Sequence, residues 1–333
     1  MKRITICIFI PLLCLTACSG DGSNIAGTNN PPPPAAGFSI TPTNGLAVTK
    51  VAYESAVTSG DVAGFAGNST GSTAGGGLAK PSAPNQYGGT LTTLLQKVPL
   101  PAATTNCAVD GTVTVTMNVE DILLLSAGAL SAGDTILAEY AGCDDGLGEV
   151  LDGTIDSIVD AFEGNIFSFA YDMTMTMNLV DFSATTDTEM LTVNGDGTAT
   201  LKLLQAPYLE ASVSGDYLTT VTNATTESLR HYSSVQTYDG RIAPAPYTMT
   251  AAGTLESSEL SGSVTYSTPV MFGGVDTGYP TSGELLVVSE ASSARLIAQS
   301  NGADVVIEIY TNATGTGTPV STINTTWAEL EAL

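Results

Sequence analysis

The chain has 333 residues, of which 33 are acidic, 9 are Lys or Arg and one is His, so its formal net charge is −24. Neutralising a nucleic-acid backbone requires clustered Lys and Arg side chains, and this composition therefore excludes nucleic acid as a partner. With 43% hydrophobic residues the chain is too apolar to be disordered throughout, and its length allows one large or two ordinary domains.

The N-terminus has the pattern of a secretory signal. Lys2 and Arg3 precede an apolar run over residues 4–15, which is too short to span a bilayer. The run ends in Leu15-Thr16-Ala17-Cys18, and here the sequence resembles bacterial lipoprotein precursors with a Leu-x-Ala-Cys lipobox. The resemblance implies cleavage before Cys18, a diacylglyceryl group on its sulfur and an acyl chain such as palmitate on its amino group. An ordinary cleaved signal is the alternative.

The resemblance makes the membrane a partner through the lipid anchor on Cys18 and places the mature protein in the cell envelope. Ser19 follows the cysteine, which is similar to Gram-negative lipoproteins sorted to the outer membrane, where this residue is not Asp. The signal peptide is thus residues 1–17. Residues 18–37, with Pro31 to Pro34 in a row, predict a Pro-rich flexible tether that is partly stiff.

Residues 38–104 predict short helices joined by a Gly/Ser-rich low-complexity segment. Apolar side chains at helical spacing predict a helix over residues 44–57, and a second short helix is expected over 90–97. Residues 59–89 consist largely of Gly, Ser, Ala and Thr, which predicts a mobile segment because such side chains bury too little apolar surface.

Over residues 105–333 the apolar pattern has a period of two, which predicts strands with one buried face. In residues 167–179 every odd position is apolar. Similar alternation occurs over residues 112–119, 151–159, 213–221, 229–237, 260–266 and 305–309. Because no long helical pattern separates these segments, they predict a mainly β fold with a large antiparallel sheet, either a curved sheet, an incomplete barrel or a sandwich.

Two local signals refine this prediction. Asn194-Gly195-Asp196-Gly197 lies between two alternating stretches and predicts a hairpin turn, because these residues tolerate positive φ. Residues 324–330 predict a short capped C-terminal helix whose Trp327 and Leu330 pack against the sheet.

Cys107 and Cys143 are predicted to form a disulfide. Of the five cysteines, two lie in the signal and Cys18 carries the lipid, which leaves two in an oxidising compartment. If residues 112–119 pair with residues 135–142 as an antiparallel hairpin, the two remaining cysteines lie at the same end of the pair.

With these features in order, the chain resembles a family of uncharacterised bacterial lipoproteins of the outer-membrane type. The matching motifs are Gly111-Thr112-Val113-Thr114-Val115, Leu130-Ser131-Ala132-Gly133-Asp134-Thr135, Cys143, Leu151-Asp152-Gly153-Thr154, and the ending from Ser282-Gly283-Glu284-Leu285 to Thr326-Trp327-Ala328-Glu329-Leu330. Over residues 105–333 the resemblance implies an extracytoplasmic antiparallel β domain and brings no activity with it.

Three patterns could carry chemistry, and each has a plainer interpretation. The Gly-x-Ser-x-Gly match over residues 67–71 lacks the strand and helix that expose a nucleophilic serine. His231 follows the alternation of its strand, which favours a packed or hydrogen-bonded residue over a general base. Met173, Met175 and Met177 offer sulfur ligands for Cu(I), but they share a face with aromatic residues, which favours a core.

The acidic residues of one predicted strand are Glu149, Asp152, Asp156, Asp160 and Glu163. They could bind calcium, but a solvated strand face is the favoured interpretation. No catalytic residue, cofactor or metal site is predicted. The sequence therefore predicts a lipid-anchored, non-enzymatic binding or surface-interaction module of unknown ligand. The alternatives are a carrier that holds a lipid or other amphiphile in a cavity of the curved sheet, and hydrolysis by paired carboxylates.

Overall fold

The fold is one open antiparallel sheet of fourteen strands that follow one another in chain order, so each strand pairs only with its neighbours in the sequence. The computed structural model describes residues 38–67, 102–144, 150–168, 170–186, 190–204, 208–222, 225–275 and 278–333, all in the unit Pro34–Leu333. The predicted signal peptide, tether, second short helix and residues 68–71 of the Gly-x-Ser-x-Gly match lie outside the described residues.

The strands account for most of the described chain. They are β1 Ala102–Asn106, β2 Asp110–Asn118, β3 Thr135–Asp144, β4 Val150–Asn165, β5 Ala170–Thr185, β6 Met190–Leu203, β7 Tyr208–Thr222, β8 Thr225–Asp239, β9 Pro246–Ser257, β10 Ser263–Val275, β11 Ser282–Ser289, β12 Ser292–Ala298, β13 Asp304–Tyr310 and β14 Ser321–Thr326. The predicted antiparallel β fold is confirmed.

Helices are few in the described residues. They are α1 Gly45–Gly67, α2 Ile122–Ser126 and α3 Trp327–Glu331, with a 3-10 turn at Ile166–Ser168 between β4 and β5. None of the helices in this part of the chain is long and apolar enough to cross a membrane. Helix α1 continues to Gly67, ten residues past its predicted end at residue 57 and into the segment predicted to be mobile.

The sheet curls around α1. This single helix contacts eight consecutive strands, β6 to β13. Eight strands laid flat extend over about 34 Å, because neighbouring strands lie about 4.8 Å apart, whereas a helix is only about 10–12 Å wide. One helix can touch all of these strands only if the sheet bends around it.

Helix α1 is buried on nearly all sides, and its composition fits that position. The side chains of Val48, Val51, Ala52 and Ala56 are at most 2% exposed. Three buried hydroxyls in the helix donate hydrogen bonds to carbonyl oxygens of the same helix, and one of them, that of Ser55, also contacts β8. Small residues let strands come close: Gly60 faces Gln236 and Ser234 of β8, where a Cβ atom would lie 1.9 Å from the Gln236 amide nitrogen. We conclude that residue 60 is a glycine because β8 leaves no space for a side chain there.

Aromatic rings join α1 to the C-terminal helix. The ring of Tyr53 lies 5.4 Å from that of Phe272 and 4.9 Å from that of Trp327, measured between centroids. Tyr279 also stacks on Trp327, with ring centroids 5.7 Å apart. Helix α3 begins with a capping box, in which Thr326 and Glu329 satisfy each other's backbone N–H groups. The predicted capped C-terminal helix is confirmed, and Trp327 and Leu330 are fully buried.

The period-two prediction is confirmed along β5, where Tyr171, Met173, Met175, Met177 and Leu179 are all buried. The predicted strand starts too early at residue 167, because Phe167 lies in the 3-10 turn before β5 and is exposed. The predicted hairpin turn over residues 194–197 is wrong, because these residues lie inside β6 and pair with both β5 and β7. Glycine inside a strand often marks a bulge or a bend. Here Gly197 lies at a register shift between β6 and β7.

Candidate functional site

A crease crosses the sheet from β4 to β8. We define it by the register irregularities at Gly153, Asp181, Gly197, Gly215 and His231, one in each of five consecutive strands. Asp181 and His231 both have a backbone φ of +46°, a left-handed conformation that costs energy for residues with a side chain. Such irregularities bend strands and redirect side chains, so the crease both curves the sheet and gathers polar groups on its outer face.

Asp216 and His231 face each other across this crease. They occupy opposed positions on β7 and β8, between the pairs Gly215–Tyr232 and Tyr217–Arg230. The Nδ1 atom of His231 lies 3.3 Å from Oδ1 of Asp216, and both side chains are largely in solvent, at 80% and 92% exposure. The contact orients an imidazole on the outer surface, where its Nε2 atom stays available to a ligand.

The two residues form one wall of a hollow of about 360 Å³ on the outer face. Its polar side chains are Thr176, Asp196, Thr198, Ser214, Asp216 and His231. Carboxylates accept hydrogen bonds only, and the hydroxyls can donate or accept. The hollow therefore offers a surplus of acceptors and two negative charges.

The floor of the hollow is Tyr232, which is 2% exposed. Its hydroxyl donates to the backbone oxygen of Asp196 at 3.1 Å. Gly197 and Gly215 make this possible, because a Cβ atom on either would come within 2.7 Å of the Tyr232 hydroxyl oxygen. Burial, followed by the nearby charge of Asp196, raises the pKa of Tyr232, so the phenol keeps its proton and remains a donor.

A second acidic group lies at the interface of α1 with β8. Oε2 of Glu227 lies 2.7 Å from Oγ of Ser55, and the same Oγ lies 2.9 Å from the Val51 carbonyl oxygen. Burial raises the pKa of Glu227 to about 7, with smaller contributions from Glu54 and Glu259. The Ser55 hydroxyl donates to Oε2 of Glu227, which favours the charged carboxylate and lowers the pKa, so burial outweighs this hydrogen bond.

The structure brings together some of the residues predicted from the sequence. Cys107 and Cys143 form a disulfide, with Cα atoms 5.4 Å apart, and β2 pairs with β3 as predicted. Met173, Met175 and Met177 are at most 2% exposed and belong to the core cluster, as the plainer interpretation has it. Cys18 lies outside the described residues.

His231 departs from its predicted position. The prediction extends the alternation of Leu229 through residue 235, but a register shift between Arg230 and Ser233 reverses the alternation at His231. As a result Leu229 is buried whereas Val235 is 39% exposed. His231 is hydrogen-bonded, as predicted, but it is exposed rather than packed.

The acidic residues of β4 point away from the core. Asp152, Asp156, Asp160 and Glu163 are all exposed along the outer face, while Glu149 lies outside the described residues. Within the described ranges no group of three or more His, Cys, Asp or Glu side chains has the arrangement of a metal site.

Sequence reasoning missed Asp196, Asp216 and Tyr232. Asp196 stands in the tetrapeptide predicted to be a turn, and Asp216 and Tyr232 come from two other strands. The available signal was the recurrence of glycine inside alternating stretches, at positions 153, 195, 197 and 215. Comparison of the chain with protein-family models, with curated proteins and with solved structures found no match.

Proposed function

We propose that this chain is a lipid-anchored protein of the cell envelope, attached through Cys18, whose folded part is a non-enzymatic binding module. The basic residues before the apolar run and the Leu15-Thr16-Ala17-Cys18 sequence support the anchor. The Cys107–Cys143 disulfide supports an oxidising compartment, since such bonds are rare where thiols are kept reduced. An outer-membrane destination, based on Ser19, is part of the same proposal.

Metabolic labelling with palmitate tests the anchor. Labelling of the chain disappears in Cys18→Ala and persists in Cys14→Ala, which changes a cysteine of the signal four residues earlier. Labelled Cys18→Ala protein contradicts the anchor.

The ligand we propose is a small cation rich in hydrogen-bond donors, such as a polyamine, bound in the hollow at the crease. The observation that carries this proposal is the convergence of Asp196, Asp216 and His231 from three strands on one outward-facing depression. The net charge of −24 adds a field that attracts cations and repels anions.

A non-enzymatic role is supported by how the hollow is built. Ser214, His231 and Asp216 are the residue types of a hydrolytic triad, and all three line the depression. In a triad the buried aspartate holds the imidazole in place, and the serine hydroxyl is hydrogen-bonded to that imidazole. Here Asp216 is 92% exposed. Asp216 therefore lacks the burial with which the aspartate of a triad holds its imidazole.

The carrier alternative has less support. The inner side of the curled sheet, where a lipid would bind, contains α1, and the methionine face of β5 is packed into the core. Loading a lipid there requires α1 to leave the sheet.

Calorimetric titration with spermidine at low salt tests the ligand class. Asp216→Asn and Asp196→Asn each weaken binding about fivefold, because a charge pair at an exposed site is worth up to about 1 kcal/mol. Glu139→Gln, on the outer face of β3, removes the same charge elsewhere and serves as the control. Equal weakening in the control, or none in the hollow variants, contradicts this proposal.

A further inference from the structure

The loop between β2 and β3 and the turn between β4 and β5 together expose an apolar surface, which we call the apolar tip. It consists of Ile122, Leu123 and Leu124 of α2 and Phe167 of the 3-10 turn, which are 58%, 74%, 43% and 37% exposed. Three consecutive large aliphatic side chains in solvent are uncommon, since exposed apolar residues of soluble domains are normally scattered singly.

The apolar tip is held rigidly by its surroundings. The carboxylate of Asp121 accepts hydrogen bonds from the backbone N–H groups of Leu123 and Leu124, which caps α2. Asn165 donates to the Ala127 carbonyl oxygen and accepts from the Phe167 N–H, so one side chain links the end of α2 to the 3-10 turn.

The base of the apolar tip is fixed in the core. Leu125 and Ile166, at 7% and 2% exposure, belong to the core cluster. The backbone N–H of Ile166 also donates to the Gly128 carbonyl oxygen at 2.9 Å. The loop between β2 and β3 and the turn between β4 and β5 are thus each anchored by one buried apolar side chain, and the remaining apolar side chains of the apolar tip point outward.

The charged residues nearest the apolar tip in sequence are all acidic. Between Lys97 and Lys202 the sequence has no Lys or Arg, so every charged side chain of β1 to β5 and α2 is acidic. Glu120, Asp121 and Glu163 are the nearest of these in sequence. Lys202 lies on β6 opposite Asp172 of β5, two strands from Glu163. An anionic surface is repelled by such a rim, whereas a zwitterionic lipid surface is not.

We propose that the apolar tip inserts into the interfacial region of a zwitterionic phospholipid bilayer and gives the anchored protein a second membrane contact. The proposal rests on the lipid anchor at Cys18, which keeps a bilayer within reach. Twenty residue steps lead from Cys18 to Phe38, where the described chain begins beside the hairpin of β11 and β12. Their maximal reach is about 70 Å, compared with a diameter of about 50 Å for a domain of this size, so the tether allows any face to meet the membrane. The apolar tip determines which face does so.

Co-sedimentation with phosphatidylcholine vesicles tests this proposal on the mature chain carrying Cys18→Ser, which has no lipid of its own. The protein binds weakly and reversibly, and Leu123→Asp lowers the partition coefficient at least tenfold. Val109→Asp is the matched control: Val109 is 65% exposed at the opposite end of β2, and its replacement changes the coefficient less than twofold. Vesicles that contain phosphatidylglycerol bind less protein at low salt, and added salt restores part of the binding.

Three results overturn the proposal. They are no sedimentation with phosphatidylcholine, equal losses for Leu123→Asp and Val109→Asp, and a dimer in solution that Leu123→Asp dissociates, since the apolar tip then joins two copies of the chain. Because palmitate labelling of Cys18 is measured separately, failure of this contact is distinguishable from failure of the anchor.

Discussion

The molecule places a carboxylate in a hydrogen bond at two sites with opposite surroundings. Glu227 contacts Ser55 where α1 packs on the sheet, and Asp216 contacts His231 on the outer face of the crease. Burial raises the pKa of Glu227 to about 7, whereas Asp216 stands in water. The comparison teaches that a carboxyl group affects folding stability where water is excluded. A carboxyl group exposed to water, by contrast, remains accessible to a ligand.

The interior should be the more sensitive of the two regions to loss of side-chain volume. Tyr53→Ala removes the ring between Phe272 and Trp327 and should lower the free energy of unfolding by about 4 kcal/mol. Thr198→Ala, in the hollow, should change it by less than about 0.5 kcal/mol. Urea unfolding followed by circular dichroism measures both.

A companion variant separates volume from polarity at the same position. The Tyr53 hydroxyl is buried and has no hydrogen-bond partner among the described residues. Tyr53→Phe should therefore stabilise the protein by about 1 kcal/mol. A loss of stability in Tyr53→Phe is incompatible with an unpartnered hydroxyl.

The second prediction concerns the pH dependence of stability. The folded-state pKa of Glu227 is about 7, above its ordinary value of 4.5, so the folded state binds its proton more tightly. Its contribution is fully present below pH 4.5 and is lost as pH rises to about 7, a total of about 3 kcal/mol. Glu227→Gln should remove this slope and be the more stable protein at pH 8.

Denaturation midpoints between pH 4 and 8 check this expectation. Glu139→Gln, which removes an exposed carboxylate from β3, should keep the wild-type slope. If the two variants behave alike, the slope does not come from the α1 interface.

The third prediction tests the floor of the hollow. A Cβ atom at position 197 would lie 2.6 Å from the Tyr232 hydroxyl oxygen, so Gly197→Ala should cost about 2 kcal/mol. Tyr232→Phe removes that oxygen and should cost about 1 kcal/mol, because its bond to the Asp196 carbonyl is lost. The double variant should be less destabilised than the sum by about 1 kcal/mol. If thermal unfolding shows that the two losses simply add, the cost of Gly197→Ala does not come from a clash with the Tyr232 hydroxyl.

The smallest effect is expected from the backbone at His231. Its φ of +46° suits glycine better than alanine, so His231→Gly should be more stable than His231→Ala by about 1 kcal/mol. At Ser233, two residues along the same strand, the order should reverse, because glycine loses more backbone entropy on folding. Chemical denaturation of the four variants tests whether the backbone at position 231 is strained.

Much of the sheet could be predicted from the sequence, because the alternation of apolar and polar residues is visible within a single strand. The odd positions of β5 from Tyr171 to Leu179 are apolar and buried, and the predicted pairing of β2 with β3 places Cys107 next to Cys143. The capped helical pattern of residues 324–330 also predicted that Trp327 packs inward at the C-terminus, where it is fully buried.

The hollow could not be predicted in the same way, because it depends on where strands lose register. Asn194-Gly195-Asp196-Gly197 is compatible with a reversal of the chain and with a bend inside a strand, and only the neighbouring strands decide between them. The position of His231 changes face because of a single register shift. Register shifts depend on how two strands pair, so they cannot be predicted from the sequence of one strand.

The enclosure of α1 sets an order on the assembly of the protein. Helix α1 and the residues before it are among the first to be synthesised, yet Ile40 bonds to Ser292 across 252 positions and Ser55 to Glu227 across 172. The strands can pair one after another, each on a neighbour already made, so α1 is covered in stages as β6 to β13 emerge. A chain cut short after β10 would therefore leave exposed the side of this apolar helix that β11 to β13 cover, and the cell's holding chaperones and proteases would meet that side first.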